Sequence, residues 1–243
     1  DRVPYAGWYA TGDTGIKCIQ KIDTSLRNGA VPPEGDDFNH SETAFLVKGE
    51  KLEDEVAVHR DALEMRPLNM KNTFNKTIMS ANCLALDCEY SQITHETQNG
   101  FTGGRNFIKN IVANDAAGRM YSCAYEGSKK PFLVPSNFPI SALFDFLAAF
   151  PSVIHEWIWA VLAHRKMPIH FINFFKANYH GAKAVFIHNG TRYNLINFLS
   201  GVLQGCPGSA LLFNNAIDPF LFKIHNILRA NSAGIVRACA DDI

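Results

Sequence analysis

Three aspartates in this chain could hold divalent cations: Asp145 within Ala142-Leu143-Phe144-Asp145-Phe146-Leu147, and the adjacent pair Asp241-Asp242 behind the apolar run Ile235-Val236-Arg237-Ala238-Cys239. Carboxylate oxygens suit hard cations, and magnesium needs only a few of them because waters and substrate phosphates complete its octahedron. Two such ions hold an attacking 3′ oxygen and a leaving pyrophosphate in line, which is what transfer from a nucleoside triphosphate requires. Between the carboxylates lies Gly201-Val202-Leu203-Gln204-Gly205-Cys206-Pro207-Gly208-Ser209. Phe150, further along from Asp145, would stand beneath the incoming sugar, where a bulky ring disfavours a 2′ hydroxyl and so favours deoxynucleotides. Each piece alone has a blander reading: an Asp-Asp pair is usually a solvated turn, Gln-Gly-Cys-Pro a turn entering a helix, and Phe150 core. Their order and spacing together point to nucleotidyl transfer.

The carboxylates converge only if neighbouring strands carry them. Ser141–Phe146 is a continuous apolar run that reads as a buried strand, and Ile235–Cys239 reads as a second strand ending at the Asp pair. Pro151-Ser152 opens a helix with Trp157, Ile158, Val161 and Leu162 on one apolar face, and another helix follows Pro168 with Phe171, Ile172, Phe174 and Phe175. Ala184–Ile187 and Tyr193–Phe198 flank Asn189-Gly190, a hairpin signal. A long helix is expected from about Ser209 to Leu228. Earlier, Ala44–Val47 reads as a strand, and Asn72–Leu86 and Asn106–Ala117 as helices, the former with Phe74, Ile78, Met79 and Leu84 as its apolar positions. The first sixty residues, rich in Gly, Pro and acidic stretches, read as loops around one or two weak helices. The texture changes near Pro131.

Composition bounds the alternatives. At 243 residues and 47% hydrophobic, the chain can bury a sizeable core as one domain or two lobes. Its 23 Lys and Arg balance 23 Asp and Glu, so it lacks the basic footprint usual for phosphate binding, although Lys129-Lys130, Arg66, Lys71 and Lys76 could still line one groove. Six cysteines without CxxC spacing read as reduced thiols inside a cell. Ala142–Ala163 is interrupted by Asp145, Pro151, His155 and Glu156, which argues against a membrane span. The nine histidines show no ligand spacing and are expected at the surface or satisfied in the core.

With these residues in view, the chain resembles the reverse transcriptases of non-LTR (LINE-type) retrotransposons over nearly its whole length. Arg66-Pro67-Leu68 with Asn72-Thr73 and Lys76 looks like the family's finger motif, and Gln98-Asn99-Gly100-Phe101-Thr102-Gly103-Gly104-Arg105 looks like its Gln-x-Gly-Phe-x-x-Gly-Arg motif. Asp145–Phe150, Gln204-Gly205-Cys206-Pro207 and Ala240-Asp241-Asp242 resemble polymerase motifs A, B and C. The resemblance implies an α+β right-hand polymerase with fingers and palm, its antiparallel palm sheet packed on helices. An N-terminal extension would cover residues 1–60, fingers 61–135 and palm 136–243, with the thumb absent. It implies RNA-directed DNA synthesis with RNA template, DNA primer or target and dNTPs as partners, and an intracellular location, nuclear if the parent element is active.

By carry-over, Asp145, Asp241 and Asp242 hold two Mg2+ ions, with Mn2+ a possible substitute. Phe146, Phe150, Gln204 and Gly205 contact the nucleotide, while Arg66, Lys76 and Arg105 are either triphosphate or template contacts or structural ion-pair partners. Cys239 stands where the family has an aromatic residue, Gly208 where it has Leu and Ala210 where it has Pro. Asp241 and Asp242, close to the last residue, are expected to be loosely held. The chain alone is expected to have little or no polymerase activity, and the alternative is an inactive truncated remnant, at most a nucleic-acid-binding or structural fold.

Overall fold

A computed structural model describes residues 3–33, 36–51, 59–61, 64–127 and 140–243, with side chains of 125–127 not described. Lys129-Lys130 and Pro131 lie outside the described residues. The elements run α1 (Tyr5–Ala10), α2 (Gly12–Arg27), β1 (His40–Val47), β2 (Met65–Lys71), α3 (Thr73–Ile93), α4 (Ile108–Gly127), α5 (Ala149–Ser152), α6 (His155–His164), α7 (Ile169–Tyr179), β3 (Lys183–His188), β4 (Thr191–Asn197) and α8 (Ser209–Ala230). This is an α+β chain, and it divides into two units: Asp1–Ala85 with Phe150–Ser209, and Leu86–Ala149 with Ala210–Ile243.

The first unit carries a four-stranded sheet in the order β2-β1-β3-β4. Two of its pairings are antiparallel, β1 with β2 from Ser41↔Lys71 to Val47↔Met65 and β3 with β4, but β1 and β3 run parallel through His40↔Lys183 and Glu42↔Val185. Where the resemblance implies an antiparallel palm sheet, this four-stranded sheet, which joins strands from both halves of the sequence, is mixed. Pro67, which has no N–H to give, sits on β2, the edge strand, where a missing donor costs no ladder bond. Asn189 and Gly190 join β3 to β4 with φ of 48° and 76°, the left-handed pair that a two-residue hairpin of this twist demands.

Helix α7 follows Pro168 as its spacing predicts and buries Phe171, Ile172, Phe174 and Phe175. It packs on α2, where Arg27 lies 4.6 Å over the Phe171 ring and its carbonyl accepts from Asn173 Nδ2 at 3.3 Å. The core of this unit includes Ile78, Met79, Ile158, Leu162, Phe174, Phe175 and Leu203, all with 2% exposure or less. Several polar groups enter it with their donors paired, although the Oδ1 atoms of Asn75 and Asn82 accept no hydrogen bond among the described residues. Asn75 Nδ2 donates to Asn178 Oδ1 at 3.1 Å, Asn82 Nδ2 to Asp23 Oδ1 at 2.7 Å, and the buried Lys71 ammonium to the Asn178 carbonyl at 2.9 Å in the last turn of α7. Desolvation holds the Lys71 pKa below its ordinary value.

Several expectations are corrected. Ser141–Phe146 forms no strand and is exposed, with Leu143 at 85% and Phe144 at 62%. A continuous apolar run is buried only when neighbours flank it on both faces, and here the run pairs through Phe144 with Ile243 on one side. The helix expected from Pro151 is two pieces, α5 and α6, and Trp157 on α6 is 49% exposed while Ile158, Val161 and Leu162 are buried. On α3, Leu84 is 77% exposed while Asn75 and Asn82 occupy buried positions. Ile235–Cys239 joins only by isolated bridges, Gln98↔Ala238 and Cys239↔Asp242. The N-terminal region is more regular than expected, since α2 is a 16-residue helix. Among the described residues no helix is long and apolar enough to cross a membrane.

Candidate functional site

The second unit assembles the two aspartate segments. Beyond α8 the chain passes through Asn231-Ser232 and comes alongside the loop after α3, where Ala238 N–H donates to the Thr97 carbonyl and Asn99 N–H to the Ala238 carbonyl, both at 2.8 Å. The backbone then reverses in a tight turn over Cys239-Ala240-Asp241-Asp242. Cys239 N–H donates to the Asp242 carbonyl at 2.8 Å and Asp242 N–H to the Cys239 carbonyl at 3.3 Å, with Ala240 in the left-handed region at φ 58°. Ile243 leaves the turn and exchanges both backbone bonds with Phe144, at 2.7 and 3.0 Å. It also packs against the cluster of Leu221, Val236 and Ala238 together with Ile217, Ile224 and Leu228.

A reciprocal pair of bonds defines an antiparallel register, in which the next positions on each side face one another at a Cα separation of about 4.5 Å. For Phe144 and Ile243 those positions are Asp145 and Asp242. The expectation of a loosely held Asp-Asp pair is therefore corrected: two turn bonds and two ladder bonds tie the segment down. Asp145 and Asp242 are exposed and Asp241 half-buried. The Cys239 thiol between them and the core is pushed above its ordinary pKa, first by burial and then by the Asp242 and Asp241 carboxylates. Among the described residues no three His, Cys, Asp or Glu side chains form a metal-holding group.

What holds the turn is a side chain that the sequence motif contained but gave no role. Gln98 is fully buried. Its Oε1 accepts from Ala240 N–H at 2.8 Å and Gly100 N–H at 2.9 Å, and its Nε2 donates to the Ala240 carbonyl at 3.1 Å. Two N–H donors converging on one atom fix which end of the amide is oxygen. Asn110 Nδ2 donates to the Ala238 carbonyl at 3.0 Å, and Asn110 Oδ1 accepts from Asn99 Nδ2 at 2.6 Å. Gly100 lies so close that a Cβ there would run into the Ala240 nitrogen and come within 2.8 Å of the Cys239 carbonyl carbon. Asn214 Nδ2 on α8 donates to the Gly100 carbonyl at 2.7 Å.

Arg105 closes the same loop from behind. Its Nη1 donates to the carbonyls of His95 at 2.5 Å and Gln98 at 2.8 Å, and its Nη2 to those of Ser91 at 2.8 Å and Thr94 at 2.7 Å. The guanidinium thus caps the end of α3 and shapes the loop carrying Gln98, with backbone oxygens rather than a carboxylate as its partners. Phe146, 39% exposed, meets Phe220 edge to face at 6.2 Å.

The other sequence-selected residues belong to the first unit. The Gly201–Gly205 loop lies between two of its segments: Val202 N–H donates to the Phe150 carbonyl at 2.8 Å, and Asn69 N–H donates to the Gln204 carbonyl at 2.8 Å. Gly205 has φ 98°, and a Cβ there would come within 2.7 Å of the Asn69 carbonyl oxygen. Phe150, Gln204 and the end of the Arg66-Pro67-Leu68-Asn69 stretch are thereby gathered by backbone bonds. Arg66 itself is exposed on β2 and Lys76 half-buried near the start of α3. Ser209 opens α8 with its hydroxyl on the Leu203 carbonyl at 2.6 Å. His155, buried, bonds the Gly201 carbonyl through Nε2 at 2.8 Å, as expected of a satisfied histidine.

No protein-family model matches the chain. It is similar to the "Transposon TX1 uncharacterized 149 kDa protein" of Xenopus laevis, 26% identical over 172 residues that make up 70% of this chain and 12% of that protein. The chain thus spans a small part of its transposon relative, and the similarity points to a retroelement relationship.

Proposed function

We propose that this chain is the fingers and palm region of a reverse transcriptase from a non-LTR, LINE-type retroelement, an RNA-directed DNA polymerase working by two-metal nucleotidyl transfer. The observation that carries the reading is the reciprocal Phe144–Ile243 pairing, which sets Asp145 opposite Asp242. The five motifs that resemble the family and the similarity to a transposon protein support it from the sequence side.

The chemistry of the donors supports magnesium, since carboxylates offer the hard oxygens it takes, although the three aspartates do not form a three-ligand group in this structure. In this reading Asp145, Asp241 and Asp242 hold the metal, which when bound neutralises charge on the transferring phosphate. Phe150 excludes the ribose 2′ hydroxyl, Phe146 flanks it, and Gln204 and Gly205 border the nucleotide. Arg66 and Lys76 meet triphosphate or template backbone, where A-form shape rather than sequence is read. Arg105, with four bonds to carbonyls, acts by shaping the Gln98 loop.

The alternative is a remnant fold without catalysis, favoured by the balanced charge of 23 against 23 and by the lack of a three-ligand group among the described residues. Mn2+ titration of the purified chain, followed by electron paramagnetic resonance with and without dNTP, separates them. The polymerase reading expects dNTP-enhanced Mn2+ binding that Asp145→Ala abolishes with the fold intact. Equal binding by the wild type and Asp145→Ala rejects the site and leaves the remnant.

A further inference from the structure

We propose that Gln98 is the positioning residue of the Asp241–Asp242 turn, an internal amide that fixes where the carboxylates point. The inference rests on the metal reading above and goes beyond it to the residue on which the site geometry depends. A tight turn with Ala240 at φ 58° is a conformation that an L-residue adopts at a cost, so it persists only where the surroundings over-determine it. Gln98 supplies that constraint. Its carboxamide meets the N–H and the C=O of the same residue, Ala240, at 2.8 and 3.1 Å, so the residue is gripped at both ends. The second acceptor contact, from Gly100 N–H at 2.9 Å, locks the amide plane itself.

The grip cannot slide. Gly100 is packed against Ala240 and Cys239 without room for a Cβ, and Asn99 and Asn110 hold Ala238 just before the turn. Arg105 holds the Gln98 carbonyl at 2.8 Å, so the clamp is anchored to the end of α3. Fully buried, the Gln98 amide works where water does not compete, and loss of one partner leaves the others unpaired. A glutamine is required by chemistry: the site needs one acceptor taking two N–H groups and one donor facing a carbonyl, which no carboxylate or aliphatic side chain provides.

The test uses the full 243-residue chain with Gln98→Leu and Gln98→Glu, measuring amide exchange by NMR and Mn2+ binding by paramagnetic resonance. Gln98→Leu is expected to speed exchange of the Ala240 and Gly100 amides by about tenfold or more while α7 keeps its protection, and to weaken Mn2+ binding by about tenfold. Gln98→Glu, measured at a pH where its carboxyl is ionised, keeps the shape and both acceptor contacts but loses the donor, so exchange at Ala240 should exceed wild type there and fall back toward it as the pH is lowered and the carboxyl regains its O–H; if Gln98→Leu unfolds the chain, Gln98→Glu decides alone. Exchange at Ala240 within about twofold of wild type in a folded variant overturns the clamp. A loosened turn with wild-type Mn2+ affinity overturns the positioning role. Wild type and Asp145→Ala that bind Mn2+ alike reject the metal reading instead, and loosened exchange in Gln98→Leu then still supports the clamp.

Discussion

Removing the Arg105 guanidinium should be among the most damaging single changes away from the cores, and the size of the effect follows from its bonds. Four carbonyls, those of Ser91, Thr94, His95 and Gln98, accept from its two terminal nitrogens at 2.5 to 2.8 Å. A hydrogen bond to a charged group contributes about 1.5–3 kcal/mol, but four bonds sharing one partly buried guanidinium do not add, and carbonyls near water are partly rehydrated when it is gone. An overall loss of about 3 kcal/mol for Arg105→Ala is the working figure, a large part of a stability of about 5–15 kcal/mol. Arg105→Lys separates geometry from charge. An ammonium is a point donor that reaches one pair of carbonyls but cannot span the fork, so about half the loss is expected. Since the chain has two units, a single unfolding midpoint is the wrong observable. Native-state exchange read at residues 91–105 and 238–243 reports the affected unit directly. Arg105→Ala within about 0.5 kcal/mol of wild type, or Arg105→Lys as damaging as alanine, would refute the bonding scheme.

The remaining predictions concern packing and thiols. Gly100→Ala places a Cβ against backbone of Ala240 and Cys239, atoms that cannot rotate away, and should cost about 1–3 kcal/mol and speed exchange at Ala240; unchanged exchange over residues 238–243 would contradict the close approach. Under native conditions at pH 8, a thiol reagent should modify Cys18, Cys88 and Cys123 quickly, leaving the buried Cys206 and the largely buried Cys83 slow; rapid modification of Cys83 would contradict its burial. Burial pushes the Cys83 thiol up to about 12 from 9.0. Between those values the unfolded chain has lost the proton that the native chain keeps, so stability present below pH 9 declines as pH rises toward 12. Tyr179, raised chiefly by burial, acts in the same direction, so Cys83→Ala should make the alkaline decline of the first unit's own unfolding transition shallower without removing it.

Elements whose signals are local were legible in the sequence. The α7 face, the Asn189-Gly190 hairpin and α8 follow from periodicity and turn chemistry that neighbouring residues supply. The failures depend on partners distant in sequence. Ser141–Phe146 is as apolar as a buried strand, but burial is decided by what packs on it. Lys71 reads as a surface cation, yet a carbonyl 107 residues away at Asn178 receives its ammonium in the interior. The candidate site was legible as motifs and not as roles. Gln98 lies 142 residues from Ala240, and Arg105 reads equally as a phosphate contact or an ion-pair partner because a guanidinium gives no local sign that carbonyls will occupy it.

The Gln98 amide touches only main-chain atoms of residue 240, which every amino acid except proline carries in the same form. The side chain at 240 is therefore screened for the backbone shape it permits and, because Ala240 is 3% exposed, for size: small residues that tolerate positive φ pass, while proline, the β-branched types and bulky side chains are rejected. Cys239, standing where an aromatic ring is usual in the family it resembles, is a substitution that leaves this mould untouched. The turn can thus change its sequence at 239 while keeping its form, so residue identity at 239 is a poorer guide than a small residue at 240 to whether the carboxylates that follow are still in place.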